Sequence, residues 1–287
     1  MEIYELKNKI IEVWAAAKVI VQKFGHTRKF AKHLVAFAIR QHENLTDVRL
    51  AEFLVRDPIG KILGYTRKPH PSTFSKVRER SDAEMFAELH NWIVQDRMKS
   101  RQLRLIVQDS TDVFAYSRKD GDARWGHRTP SRKEQLMQNL GNGKELFFGY
   151  KPHVIVEAET ETPLAIEVIP ANTNDKKMFW PLYDRVKKTF QLQYQSKYIA
   201  DAQYHASAIR MQLRDDGLTP VIPRSGNKYL KTENPKDPEY GKRWAVEHLF
   251  ARLKELFGLA KNRFVGIKKV RIHVFSCLLA NLIEYVM

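Results

Sequence analysis

The sequence predicts an α/β protein: a mixed sheet flanked by helices, preceded by an α-helical N-terminal domain. Three observations predict it. Apolar residues recur at helical spacing through the first hundred residues. From Arg104 onward short apolar runs replace that period, and after residue 170 helix-like and strand-like segments alternate. The expected division is an α-helical domain over 1–100 and an α/β domain over 101–287.

In the first region, Ile3 to Lys23 carries a helical pattern strengthened by Ala15, Ala16 and Ala17, and Lys29 to Gln41 repeats it. Thr46 is placed to cap a helix through Leu50, Phe53 and Leu54, which Pro58 should stop. A turn with Gly60, Gly64, Pro69 and Pro71 follows. Ser72 should then cap a basic helix, Thr73 to Arg80, bearing Lys76, Arg78 and Arg80. Helix, turn and basic helix outline a DNA-reading element, although two helices joined by a turn occur in most helical domains.

In the second region, Leu105-Ile106-Val107 reads as a buried strand ending at Gln108-Asp109-Ser110. A polar segment with four glycines, Tyr116 to Lys144, reads as a long loop. Tyr150 to Glu157 and Leu164 to Ile169 should pair around a turn. A helix near Asp175 to Lys188, a strand Lys197 to Ala200 ending at Asp201, a helix Tyr204 to Leu213 and a strand Thr219 to Ile222 follow. After a basic loop, Pro223 to Pro238, a long helix should begin near Tyr240. Val274 to Val286 is too short and too polar for a membrane span, with Asn281 and Glu284, and reads as a packed helix.

The chain has 287 residues, 43% hydrophobic and 29% charged, a composition that argues against disorder. The single Cys277 excludes an internal disulfide and reads as a packing residue. The N-terminus lacks the layout of a signal peptide. Lys and Arg number 49 against 33 acidic residues, a net charge of +16. The surplus lies in residues 1–150 and 223–287, whereas 151–222 balance at nine of each sign. A near-neutral centre with basic flanks suits a protein that grips a polyanion; a basic but merely solvated surface is the plainer alternative. No phosphate-cradling Gly-x-x-x-x-Gly-Lys loop occurs, so a nucleotide cofactor is not expected.

Asp109 and Asp201 each close a strand, where open sheets place their sites. On the helix near Tyr240, the residues Tyr240, Arg243, Glu247 and Lys254 fall within a stripe of roughly 60° at about 100° per residue. Val246, Leu249, Phe250 and Leu253 form the adjoining apolar face. Glu247 therefore lies on a polar stripe beside the buried seam. Three carboxylates suit phosphodiester chemistry, because two hard cations about 3.5–4 Å apart can activate the attacking oxygen and stabilise the leaving one. Magnesium takes oxygen ligands of this kind. Each residue also has an ordinary explanation: strand-end acids cap helices, and Arg243–Glu247 is an i, i+4 pair. Asp112 is a nearby competitor of Asp109. Lys151 and His153 share a strand face, and Trp125 in the glycine-rich segment could stack on an unpaired base or simply pack.

Tyr240-Gly-Lys-Arg243-Trp-Ala-Val-Glu247 followed by Lys254 resembles the Y-x2-R-x3-E-x6-K signature of DDE insertion-sequence transposases from bacteria and archaea. Val107-Gln-Asp109-Ser-Thr resembles their first acidic motif and Tyr198-Ile-Ala-Asp201-Ala-Gln-Tyr204 their second. Gly149-Tyr-Lys-Pro-His153 and Pro170-Ala-Asn-Thr-Asn-Asp175 are similar to family segments between the two, and the resemblance spans roughly residues 45–287.

It implies a ribonuclease-H-like sheet with the first Asp on the first strand, the second on the fourth and the Glu on a later helix. It implies DNA cleavage and strand transfer at inverted-repeat ends, with two Mg²⁺ ions (or Mn²⁺ in their place) held by Asp109, Asp201 and Glu247. Arg243, Lys254 and more weakly Tyr240 would contact phosphates. Double-stranded DNA, a homodimer on that DNA and a cytoplasmic, nucleoid-associated location in a prokaryote are the matching expectations. A non-catalytic DNA binder and a structure-specific nuclease on the same fold are the rivals. Only 45 residues separate Asp201 from Glu247, which leaves no room for the large β-rich insertion of some relatives.

Overall fold

The structure, a computed structural model, describes residues 3–130, 145–224 and 236–286. The first hundred residues form six helices: α1 (Ile3–Lys23), α2 (Ala31–His42), α3 (Asp47–Arg56), α4 (Pro58–Ile62), α5 (Pro71–Arg80) and α6 (Ala83–Met98). Thr46 caps α3 by accepting from the Arg49 amide. Two expectations shift here. Pro58 opens α4 rather than merely ending α3, because Asp57 caps the new helix and proline needs no amide partner at its first position. His70, not Ser72, caps α5, its Nδ1 accepting from the Ser72 amide, and Pro71 takes the first helical position.

The sheet comprises β1 (Gln102–Ser110), β2 (Val113–Phe114), β3 (Arg124–Arg128), β4 (Glu145–Glu157), β5 (Thr162–Pro170), β6 (Gln191–Ala200) and β7 (Thr219–Val221). β4 pairs antiparallel with β1 and β5, while β6 runs parallel to β1 and β7 parallel to β6. The main path is therefore β5-β4-β1-β6-β7, three antiparallel strands followed by two parallel ones: a ribonuclease-H-like mixed sheet. β1 is its central strand, and Leu105, Ile106 and Val107 are all buried, as a strand covered on both faces requires.

Most of the expected strands are longer than their apolar runs, because backbone pairing continues past the last buried side chain. β6 begins at Gln191 rather than Lys197. The expected loop Tyr116 to Lys144 contains β3, which pairs with Glu145–Gly149 of β4; the remainder of that stretch, 131–144, and most of the basic loop after Pro223 lie outside the described residues.

Helix α7 (Phe179–Thr189) follows a short 3-10 turn at Asp175–Met178, and α8 (Ser207–Asp215) starts three residues later than expected, after a 3-10 turn capped by Asp201. Pro238–Arg243 is likewise 3-10, and α9 (Trp244–Glu255) continues from it. Side chains three apart eclipse in a 3-10 helix, so Tyr240 and Arg243 still share a side. α9 lays Val246, Leu249, Phe250 and Leu253 against β1 and β4.

The final helix, α10 (Ile267–Asn281), packs on α2 and α6 as well as on β5. Its buried Cys277 points its thiol at the Phe257 carbonyl, 3.2 Å away, and burial raises its pKa. One continuous apolar cluster runs from Ile10 in α1 to Ile283 beyond α10. The change of secondary structure near residue 100 thus crosses a shared core. Among the described residues no helix is long and apolar enough to cross a membrane.

Candidate active site

The register of β1 and β6 decides where the first two carboxylates go. These strands are parallel, and Gln108 stands opposite Ala200. The next residue on each is Asp109 and Asp201, delivered side by side to the same end of the sheet. Asp109 accepts from the Ser110 amide (2.8 Å), and Asp201 from the Gln203 amide (2.9 Å). Asp109 is thus held within its strand, and Asp201 by the 3-10 turn that it caps.

Glu247 arrives from above, on the first turn of α9. Asp109, Asp201, Glu247, Arg243 and Lys254 line one cleft of about 470 Å³. Burial pushes the Asp109 carboxyl up to about 7; Arg243 opposes that rise, while Asp201 and Glu247 add to it. Tyr240 is felt by the same set: burial raises its phenol, Arg243 opposes, and Asp201, Asp109 and Glu247 reinforce.

Arg243 links the acids. Its guanidinium stands 3.6 Å from Asp109 and donates to Glu247. Burial disfavours its charge, but Asp109 and Glu247 more than offset that and raise its pKa. Lys254, two turns along α9, donates to Asp112 at 2.9 Å, and Arg128 lies 3.7 Å from the same carboxylate. Asp112 thus has two cations beside it, whereas Asp109 has Arg243 and feels the charges of Asp201 and Glu247.

Other expected contacts fall elsewhere. Lys76 and Arg80 are exposed on α5. Arg78 departs from its expected role: it is buried, paired with Asp47, and packed on Phe37 and Phe264. Its position on the inner face of α5, four residues after Phe74, turns it into the core instead of toward solvent. Trp125 sits on β3, half-exposed, with its ring 5.5 Å from Phe148 and beneath Arg118. It lines a second cleft of about 470 Å³ that adjoins the first through His127, Arg128, Thr129, Lys151, Asp175 and Gln203.

Sequence reasoning gave no role to Asp175, which reaches both clefts. It is buried, bonded to Lys151 at 3.1 Å, and 3.7 Å from His153 Nε2. His153 Nδ1 meets the Tyr204 hydroxyl at 3.0 Å, and burial holds the imidazole down to about 4, hence neutral. The alternation of Lys151 and His153 on one strand face was the signal. Its acidic partner lay beyond a turn that spacing alone could not close.

The family model for the transposase DDE domain matches residues 100–283, which include Asp109, Asp201 and Glu247. The chain belongs to this family. Among solved structures, the chain is similar to the piggyBac transposase in a synaptic complex with hairpin DNA, at 11% identity and a TM-score of 0.42. That match covers 91% of this chain and 66% of the other. It is also similar to the Mos1 strand transfer complex, at 12% identity and a TM-score of 0.32, covering 87% and 74%. A pre-cleavage Mos1 transpososome matches at 13% identity and 0.33, covering 88% and 76%. Membership rests on the family match and not on these distant likenesses. No curated protein matches the sequence.

Three carboxylates and no cysteine form a donor set suited to a hard divalent cation. Among the described residues, no three acidic, histidine or cysteine side chains stand close enough to share one ion as they are arranged. Arg243, placed between Asp109 and Glu247, supplies the positive charge there.

Proposed function

We propose that this chain is a DNA transposase that cuts and joins DNA at the inverted-repeat ends of an insertion sequence, using Mg²⁺. The observation that carries this reading is the meeting of Asp109, Asp201 and Glu247 in one cleft with Arg243 and Lys254. Asp109, Asp201 and Glu247 would hold two Mg²⁺ ions, for which Mn²⁺ would substitute; Glu247, half-exposed, would first turn away from Arg243. Bound there, the ions would supply activation of the attacking oxygen and stabilisation of the leaving one.

The rest falls to the chain itself. Arg243, once released from Glu247, presents a planar fork of donors to a phosphate. Lys254 and Arg128 add positive charge at the opposite wall, and Tyr240 offers a hydroxyl beside the acids. Lys76 and Arg80 on the outer face of α5 would grip the backbone of double-stranded DNA away from the cleft. Trp125, in the adjoining cleft, would stack on an unpaired base at the processed end. Pairing two ends implies a homodimer on the DNA, working on the chromosome of a prokaryotic cytoplasm.

Purified protein mixed with duplexes carrying the element's ends, with and without Mg²⁺, tests this. Products joined to target DNA are expected only with the metal. Cleavage without joining would instead mark a nuclease, and retarded but intact DNA a binder. Glu247→Gln should lower cleavage by about 10³-fold or more, equivalent to about 4 kcal/mol, while leaving end binding within about twofold. Normal cutting by that variant would remove Glu247 from the site.

A further inference from the structure

We propose that the pocket where α2, α3, α5 and the turn between α9 and α10 meet binds a phosphate group of the DNA backbone. This pocket, about 490 Å³ in volume, is separate from the two clefts described above. Four cationic side chains line it, Arg40, Arg78, Lys261 and Arg263, against the single carboxylate of Asp47.

The charges do not balance. Arg40 Nε donates to Asp47 at 2.9 Å, and Arg78 donates to the other oxygen of the same carboxylate. Side-chain exposure is 15% for Arg40 and 7% for Arg78. One carboxylate thus serves two nearly dry guanidinium groups, and a buried charge without a counterpart is costly. Lys261 donates to the neutral amide oxygen of Asn44 at 3.2 Å, which leaves its charge uncompensated, and Arg263 is exposed at the rim. His273 lines the pocket without adding charge, since burial holds it down to about 4.

Joining α3 to α5 requires only one of the arginines. The second, with the two rim cations, supplies a surplus that an anion would neutralise. Phe264 lies 4.9 Å from the Arg78 guanidinium and 5.9 Å from that of Arg40. Guanidinium forks match phosphate oxygens. Two of the walls continue proposed DNA contacts: α5 carries Lys76 and Arg80 on its outer face, and the α9–α10 turn follows the helix that bears Lys254. A phosphodiester is therefore the anion chosen, and the inference rests on the transposase reading.

The test measures duplex binding by the full chain in metal-free buffer across a range of salt. Lys261→Ala with Arg263→Ala alters only the exposed rim. This double variant should bind about tenfold more weakly at 0.1 M salt, with the slope of log affinity against log salt shallower by about one, the loss of one phosphate contact. Lys99→Ala with Arg101→Ala, at the far end of β1, removes the same charge and should leave the slope unchanged. If wild type binds steeply and the rim variant matches it, the pocket assignment is overturned while the transposase reading stands. If wild type neither binds nor cuts duplex DNA, that reading falls too. Inorganic pyrophosphate that raises the melting temperature of wild type but not of the rim variant, with duplex affinity equal in both, would make this a free-anion site and overturn the DNA assignment.

Discussion

Arg78 and its neighbours Lys76 and Arg80 show how much a single step around a helix changes a cation's work. Arg78 faces inward, paired with Asp47 beneath Phe264, while the other two remain in water. Arg40 still holds Asp47 when Arg78 is removed, so the variant loses one ion pair and the packing of the guanidinium on Phe37 and Phe264. Arg78→Ala should therefore lower the urea midpoint modestly. Lys76→Ala with Arg80→Ala should leave that midpoint nearly unchanged and weaken duplex binding instead. Wild-type duplex binding by the Lys76 and Arg80 variant would remove the outer face of α5 from the DNA. At this scale the motifs put Asp109, Asp201 and Glu247 on the elements where the structure has them, lining one cleft. Sequence reading missed the inward turn of Arg78 because cations at every second position from Lys76 to Arg80 on a short helix do not reveal which side is covered. Asp175 was unread for a different reason: its partners, Lys151 and His153, lie on a strand far back in the chain.

Among the described elements, β3 was hidden from pattern reading, as were β2 and α4. Arg-Trp-Gly-His-Arg offers no apolar alternation, since only Gly126 is buried. The structure shows why that position is glycine. A Cβ there would come within 2.3 Å of the Ala171 carbonyl oxygen, a backbone atom that cannot swing aside. Gly126→Ala should cost about 2–4 kcal/mol and disturb both clefts, because His127, Arg128 and Thr129 line each of them. A thermal midpoint equal to wild type would show that β3 and Ala171 separate easily. Strand and helix ends were misjudged by a few residues for a common reason. Caps made by His70 and Asp57, and the 3-10 turn capped by Asp201, are set by local hydrogen bonds that hydrophobic periodicity does not report.

For the molecule as a whole, stability should depend on pH through its buried histidines. Burial holds His33, His90 and His273 down to about 4, against about 6.5 when unfolded. A histidine with a lowered folded pKa binds its proton more readily in the unfolded chain. Its contribution is thus intact above pH 6.5 and lost as pH falls toward 4, by on the order of 3 kcal/mol for a fully buried ring. His42, raised mainly by its hydrogen bond to Glu43, acts in the opposite sense. His273 joins α10 to α2, with Nδ1 2.8 Å from the Gln41 amide nitrogen. His273→Gln should flatten the fall in urea midpoint between pH 6.5 and 4. An unchanged slope would show that this ring is not a source of it.

The shared core of α10 with α2 and α6 also bears on the order of events at the ribosome. The first hundred residues emerge long before the helix that completes their interior, so they must wait, partly open, until α10 has been synthesised. A polypeptide halted at residue 100 should stay sensitive to protease. Compact, protease-resistant behaviour by that fragment would show that the early helices find closure without their distant partner. If the dependence holds, a product halted before α10 lacks a settled arrangement of its early helices, and only one translated through α10 gains it.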